Sequence, residues 1–85
     1  MDTPIEQLRK GTIKLHSLES EMAAADAVCT RRRFIEEETG ASLEYTGRYT
    51  IPEEYAVKHN IENMIGCIQI PAGVAGPLAV KGEYA

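Results

Sequence analysis

A chain of 85 residues with a formal net charge of −4 has room for one small domain, and by surface-to-volume scaling it buries only about two-thirds of its unfolded surface. Apolar residues at 44% and charged residues at 26% exclude a long disordered tail as the main content, and the acidic balance argues against nucleic acid as a partner. The apolar run from Met64 to Val80 is interrupted by Gln69, Pro71, Gly73, Gly76 and Pro77, which excludes a membrane span, and no basic-then-apolar signal segment opens the chain. Cys29 and Cys67 lack zinc or disulfide spacing, which fits a reducing, cytoplasmic setting.

The first element is "TPIEQLRKG". Thr3 is placed to cap a helix, Pro4 occupies its first position, Glu6 closes a capping box and Gly11 stops it. In "SLESEM", Ser17 is a second candidate cap, with Leu18 and Met22 four apart on one face. The alanines after it lead into "DAVCTRRRFIEEETG", which ends at Gly40. Residues 17 to 39 read equally as one helix or as two broken near Asp26.

"ASLEYTGRYT" reads as a connector or edge strand around Gly47. Thr50 and Glu53 form a second capping-box pattern with Pro52 in the first turn, predicting a helix through "EEYAVKHNIENMI" as far as Gly66. From there "CIQI" alternates, and "GPLAVKGEYA" offers a second candidate strand. The expected fold class is α+β: a helical N-terminal domain over 1–61, then over 62–85 the first strands of a larger domain. Two strands with a bare apolar face are marginal in water, so this end of the chain expects more protein.

At "ENMIGCIQIPAGVAGPL", residues 62 to 78, the sequence closely resembles the start of the large domain of the 3-hydroxy-3-methylglutaryl-CoA reductase family. The family motif runs Glu-Asn, an aliphatic residue, Ile-Gly, then Pro-x-Gly-Val-Ala-Gly-Pro-Leu. Upstream, "IKLHSLE" is similar to the family's Lys-Leu-x-x-Leu-Glu, and "ADAVCTRRRFIEEETG" to its Arg-Arg-containing helix. The ending Ala75-Gly76-Pro77-Leu78 resembles class I, and a chain opening with Met1 at this point implies a soluble enzyme of archaeal or bacterial type.

The resemblance implies an oxidoreductase that uses two NADPH to reduce HMG-CoA to mevalonate in isoprenoid biosynthesis. It further implies HMG-CoA and CoA as ligands, a homo-oligomer of at least two subunits, and no membrane. It places the catalytic glutamate in a downstream Thr-Glu-Gly motif, with the lysine, aspartate, histidine and NADPH site further on. No residue of these 85 is then catalytic, and no metal ligand is expected among them.

The remaining candidates carry two readings each. The resemblance puts Glu62, Asn63, Ile65 and Gly66 at a subunit interface, whereas the residues alone read as a helix end facing water. His16 stands where some class I enzymes carry a tyrosine over the adenine of CoA, which implies a CoA contact; a surface histidine is the plainer reading. Gly73, Gly76 and Pro77 read as a structural turn with close backbone packing, in preference to an anion-binding loop, because Pro77 removes a donor. In "RRRFIEEE" a solvated face is expected, against the alternative that Arg31 or Arg32 holds a carboxylate or phosphate. Cys29 and Cys67 read as structural thiols. The rival to the enzyme is a helical interaction module that binds a partner through its apolar C-terminal segment.

Overall fold

In the computed structural model, which describes residues 2–76, two short α-helices and one 3₁₀ helix are arranged around a third, longer α-helix. Helix α1 (Pro4–Lys10) is built as its sequence dictates. The Thr3 hydroxyl accepts the Glu6 N–H at 3.2 Å, Glu6 lies in the first turn and Arg9 and Lys10 in the last, and Gly11 takes φ 79° to end the helix.

The ambiguous stretch resolves into two elements. Leu15–Ser20 forms a 3₁₀ helix, and helix α2 runs from Ala24 to Thr39. The break falls at residues 21–23, where the N–H groups of Glu21 and Met22 both turn back to the Leu18 carbonyl, and Asp26 lies just beyond it in the first turn of α2. Ser17 is inside the 3₁₀ helix instead of capping α2, and Gly40 closes α2 at φ 76°.

Helix α2 separates two small cores. Leu8, Leu18 and Ala27 pack with Ile13, Leu15, Met22 and Phe34 on one side. Val28, Ala56 and Met64 pack with Tyr49, Val57 and Cys67 on the other. Burying a side chain the size of Leu18 or Met64 contributes about 1.5–3 kcal/mol. With so few such side chains, the polar links described below matter to the fold.

"ASLEYTGRYT" is a connector, with a turn over 44–47 in which the Gly47 N–H reaches the Leu43 carbonyl at 3.0 Å. Glu36 of α2 anchors its start by accepting the Leu43 N–H at 2.8 Å.

Helix α3 (Glu53–His59) departs from expectation at both ends. Its N-cap is Pro52, whose ring has no acceptor for a side-chain capping bond, and Glu53 accepts the Tyr49 hydroxyl at 2.9 Å. It stops at Asn60 and does not reach Gly66; Asn63 then takes φ 53°, which turns the chain back toward α2. No strand occurs among the described residues, so the expected "CIQI" strand is not formed. The backbone there has no ladder partner, and Ile68, Ile70 and Val74 are more than four-fifths exposed. The second expected strand lies largely outside the described residues.

The Tyr49–Glu53 contact makes the fold pH-sensitive at its alkaline end. Burial first, and donation to the Glu53 carboxylate second, push the Tyr49 phenol up from 10.0 to about 12. A raised folded-state value favours the protonated form, so this contribution is fully present below pH 10 and is lost as pH rises from 10 toward 12. Denaturant titrations across that window should show wild-type protein losing more stability than Tyr49→Phe, which has no phenol to ionise. Parallel profiles would contradict this.

Candidate functional site

The site is organised by Arg31, one turn along α2 from the buried pair Ala27 and Val28 and itself only 1% exposed. A guanidinium carries five N–H donors in a planar fork, and burying it requires that they be satisfied. Nε donates to the Leu15 carbonyl at 2.8 Å, one terminal nitrogen donates to the Met64 carbonyl at 3.0 Å, and the other pairs with the Glu19 carboxylate. The next residue, Arg32, donates to the Ile65 carbonyl at 3.1 Å. The solvated face expected for "RRRFIEEE" is therefore corrected at Arg31. Its carboxylate partner is Glu19 of this chain, and its other acceptors are backbone.

These bonds hold the segment after Asn60 across α2, whose arginines donate to the carbonyls of Met64 and Ile65. Immediately afterward the Cys67 N–H donates to the Thr46 carbonyl at 2.9 Å. Gly66, at φ 150°, permits that crossing; a Cβ there would lie 2.0 Å from the Thr46 oxygen. Gly47 makes room in the same way for the Arg32 guanidinium, whose Cζ would lie 2.7 Å from an added Cβ. Neither close approach was signalled by the sequence, whereas the spacing of Ala27, Val28 and Arg31 could have marked Arg31 as inward-facing.

One consequence is a groove of about 270 Å³ lined by His16, Glu19, Val57, Ile61, Glu62 and Asn63. It brings together the histidine of the 3₁₀ helix and two of the four residues singled out at 62–66. His16, Glu62 and Asn63 are exposed, and Ile65 and Gly66 are half-buried and do not line the groove. A larger groove of about 570 Å³ lies between α1 and α2, with Glu6, Arg9, Asp26 and Arg33 along it. Its walls are charged, and Arg9 is already paired with Glu37 and Glu38 at 3.0 and 2.7 Å, which holds its guanidinium above the usual range, most of all through Glu38.

Of the other candidates, Cys29 lines the larger groove, and Gly73, Gly76 and Cys67 line neither. Gly73 is exposed with no atom within 4 Å of a Cβ added to it, and Gly76 is exposed at φ 135°. Pro77 lies outside the described residues. Cys29 and Cys67 are half-buried and unbonded, Cys67 against the second core. Among the described residues no cluster has the composition of a metal site, and no helix is long and apolar enough to cross a membrane.

The family model described as hydroxymethylglutaryl-coenzyme A reductase matches residues 27–85. The 3-hydroxy-3-methylglutaryl-coenzyme A reductase of Methanothermobacter thermautotrophicus is 48% identical over 81 residues, covering 95% of this chain and 20% of the relative. That of Methanocaldococcus jannaschii is 47% identical over the same length and shares. Reductase 3 of Hevea brasiliensis is 34% identical over 80 residues, covering 93% of this chain and 14% of the relative. The chain thus spans about a fifth of the length of the first two relatives. The family model covers more than half of the chain, from within α2 through the Gly66 crossing and beyond, and on that extent the chain belongs to the hydroxymethylglutaryl-coenzyme A reductase family.

Proposed function

We propose that this chain is the helical N-terminal portion, with the beginning of the large domain, of a class I reductase that converts HMG-CoA to mevalonate with NADPH for isoprenoid biosynthesis. The observation that carries the proposal is similarity to named reductases over 95% of the chain. The NADPH site and the catalytic residues belong to the downstream part, and the complete enzyme is cytoplasmic and at least dimeric. The exposed Ile68, Ile70 and Val74 fit this reading, because an extended apolar segment without a ladder partner is suited to joining a sheet built elsewhere.

In this reading the His16 groove takes the adenine end of CoA. Its imidazole and the aliphatic Val57 and Ile61 offer a surface for a flat ring, and the Glu19 and Glu62 carboxylates and the Asn63 amide offer acceptors for an exocyclic amine. The same carboxylates disfavour a phosphate in the groove, which leaves the phosphates outside it. Glu62, Asn63, Ile65 and Gly66 border a subunit interface, a reading that the exposure of Glu62 and Asn63 supports. Gly73, Gly76 and Pro77 form a structural turn whose packing partners lie in the rest of the enzyme.

The complete polypeptide is expected to oxidise NADPH on addition of HMG-CoA, and the 85-residue chain is expected not to, since in this reading the acid-base groups and the hydride donor site lie downstream. Glu62→Gln in the complete enzyme should weaken self-association or lower turnover without unfolding the subunit, because it removes a charge and keeps the shape. Sedimentation and steady-state rates would register the change, and normal values for both would make Glu62 a solvated loop residue. The exposed apolar segment favours one rival, a helical module that binds a partner without chemistry. Thioester-dependent NADPH oxidation by the complete polypeptide excludes it, and a complete polypeptide without that activity supports it.

A further inference from the structure

We propose that Arg31 is a positioning residue for the nucleotide end of the substrate: it fixes the spacing of the two walls of the His16 groove. The inference rests on the reductase reading above and assigns to a buried side chain the part of substrate affinity that depends on the adenine.

The walls come from distant parts of the chain, and neither is rigid on its own. His16 and Glu19 belong to a 3₁₀ helix without a side-chain cap, a form with poor hydrogen-bond geometry. Glu62 and Asn63 belong to an irregular segment in which Asn63 takes φ 53°. Arg31 bonds both: the Leu15 carbonyl just before His16, the Met64 carbonyl just after Asn63, and the Glu19 carboxylate in the wall itself. Among the described residues, no other hydrogen bond joins these walls through a single side chain. The planar fork holds its acceptors in fixed relative directions, which a lysine ammonium, a rotating point donor, cannot reproduce. Arg31 itself does not line the groove, so its effect on substrate must pass through the groups it holds.

The test is kinetic and uses the complete reductase. Arg31→Lys is expected to raise KM for HMG-CoA by about tenfold, within the range seen when supporting contacts of a site are lost, while kcat and KM for NADPH stay within about twofold. With HMG-pantetheine, which lacks the nucleotide, wild type and variant should have the same KM. Arg31→Gln, which keeps a planar amide donor toward the backbone carbonyls and likewise does not line the groove, should show the same selectivity; it carries the test where the lysine variant fails to assemble.

Equal KM increases for both thioesters, or a KM for NADPH that rises in step, would reduce Arg31 to a general structural residue and overturn the inference. A wild-type enzyme equally efficient with both thioesters would also overturn it, leaving the reductase reading intact. Failure of the wild-type protein to oxidise NADPH with either thioester would overturn that reading and the inference with it.

Discussion

Replacing Gly66 with valine is expected to detach the segment that follows α3 and to lower the stability of the complete protein by about 2–4 kcal/mol, an effect of the size reserved for core and backbone lesions. Two costs act together. The backbone is held at φ 150°, which a β-branched residue resists, and the new Cβ would meet the Thr46 oxygen at 2.0 Å and its carbonyl carbon at 2.8 Å. Both obstructing atoms are backbone, so the chain itself must move. That movement breaks the bond from the Cys67 N–H to Thr46 and pulls on the carbonyls held by Arg31 and Arg32. In the 85-residue chain, which lacks the rest of the enzyme for Gly73 to pack against, the same substitution at Gly73, with open space around it among the described residues, should leave the helical part unaffected. Denaturant unfolding followed by far-UV circular dichroism would compare the two in that chain, and equal midpoints would refute the crossing as a structural constraint.

Arg31→Ala should be as severe, at about 3–5 kcal/mol, because removing one partner of a buried ion pair leaves its acceptors unsatisfied. The Leu15 and Met64 carbonyls lose their donor, and the Glu19 carboxylate loses its counter-charge. A cavity also opens between the two small cores, neither of which has aliphatic bulk to collapse into it. Arg33→Ala removes an exposed guanidinium two residues along the same helix and should change stability by no more than about 0.5 kcal/mol. Thermal unfolding of the two variants side by side would decide it. Comparable losses would mean that Arg31 acts only as one charge among three.

The contrast between these arginines shows where sequence reasoning reaches its limit. Helix α1 was legible because its cap, its first-turn proline and its terminal glycine all act locally, within one turn of the residues they control. Helix α3 carried equally good local signals, yet it starts from Pro52 with Glu53 accepting from Tyr49, and the segment after Asn60 is held across α2 by Arg31 and Arg32. Those contacts come from elsewhere in the chain, and single-residue preferences of a fraction of a kcal/mol yield to them. His16 and Glu62 could each be singled out from motif resemblance. Their sharing of one groove could not, since it depends on a buried arginine that composition places on the surface. The strand expected at "CIQI" failed for another reason: alternation marks a face to be buried, while a strand also needs a neighbour, and the described residues contain none.

Hydrogen exchange, read residue by residue in the 85-residue chain and in the complete polypeptide, tests most directly the claim that residues 2–67 form a closed helical unit offering its apolar continuation to the rest of a reductase. In the 85-residue chain, the amides within α2 and that of Cys67 should be protected, and those of 68–76 should exchange at nearly the free rate. In the complete polypeptide the same 68–76 amides should become strongly protected as they gain ladder partners. Strong protection of 68–76 in a monomeric 85-residue chain, or free exchange of those amides in the complete polypeptide, would contradict the claim.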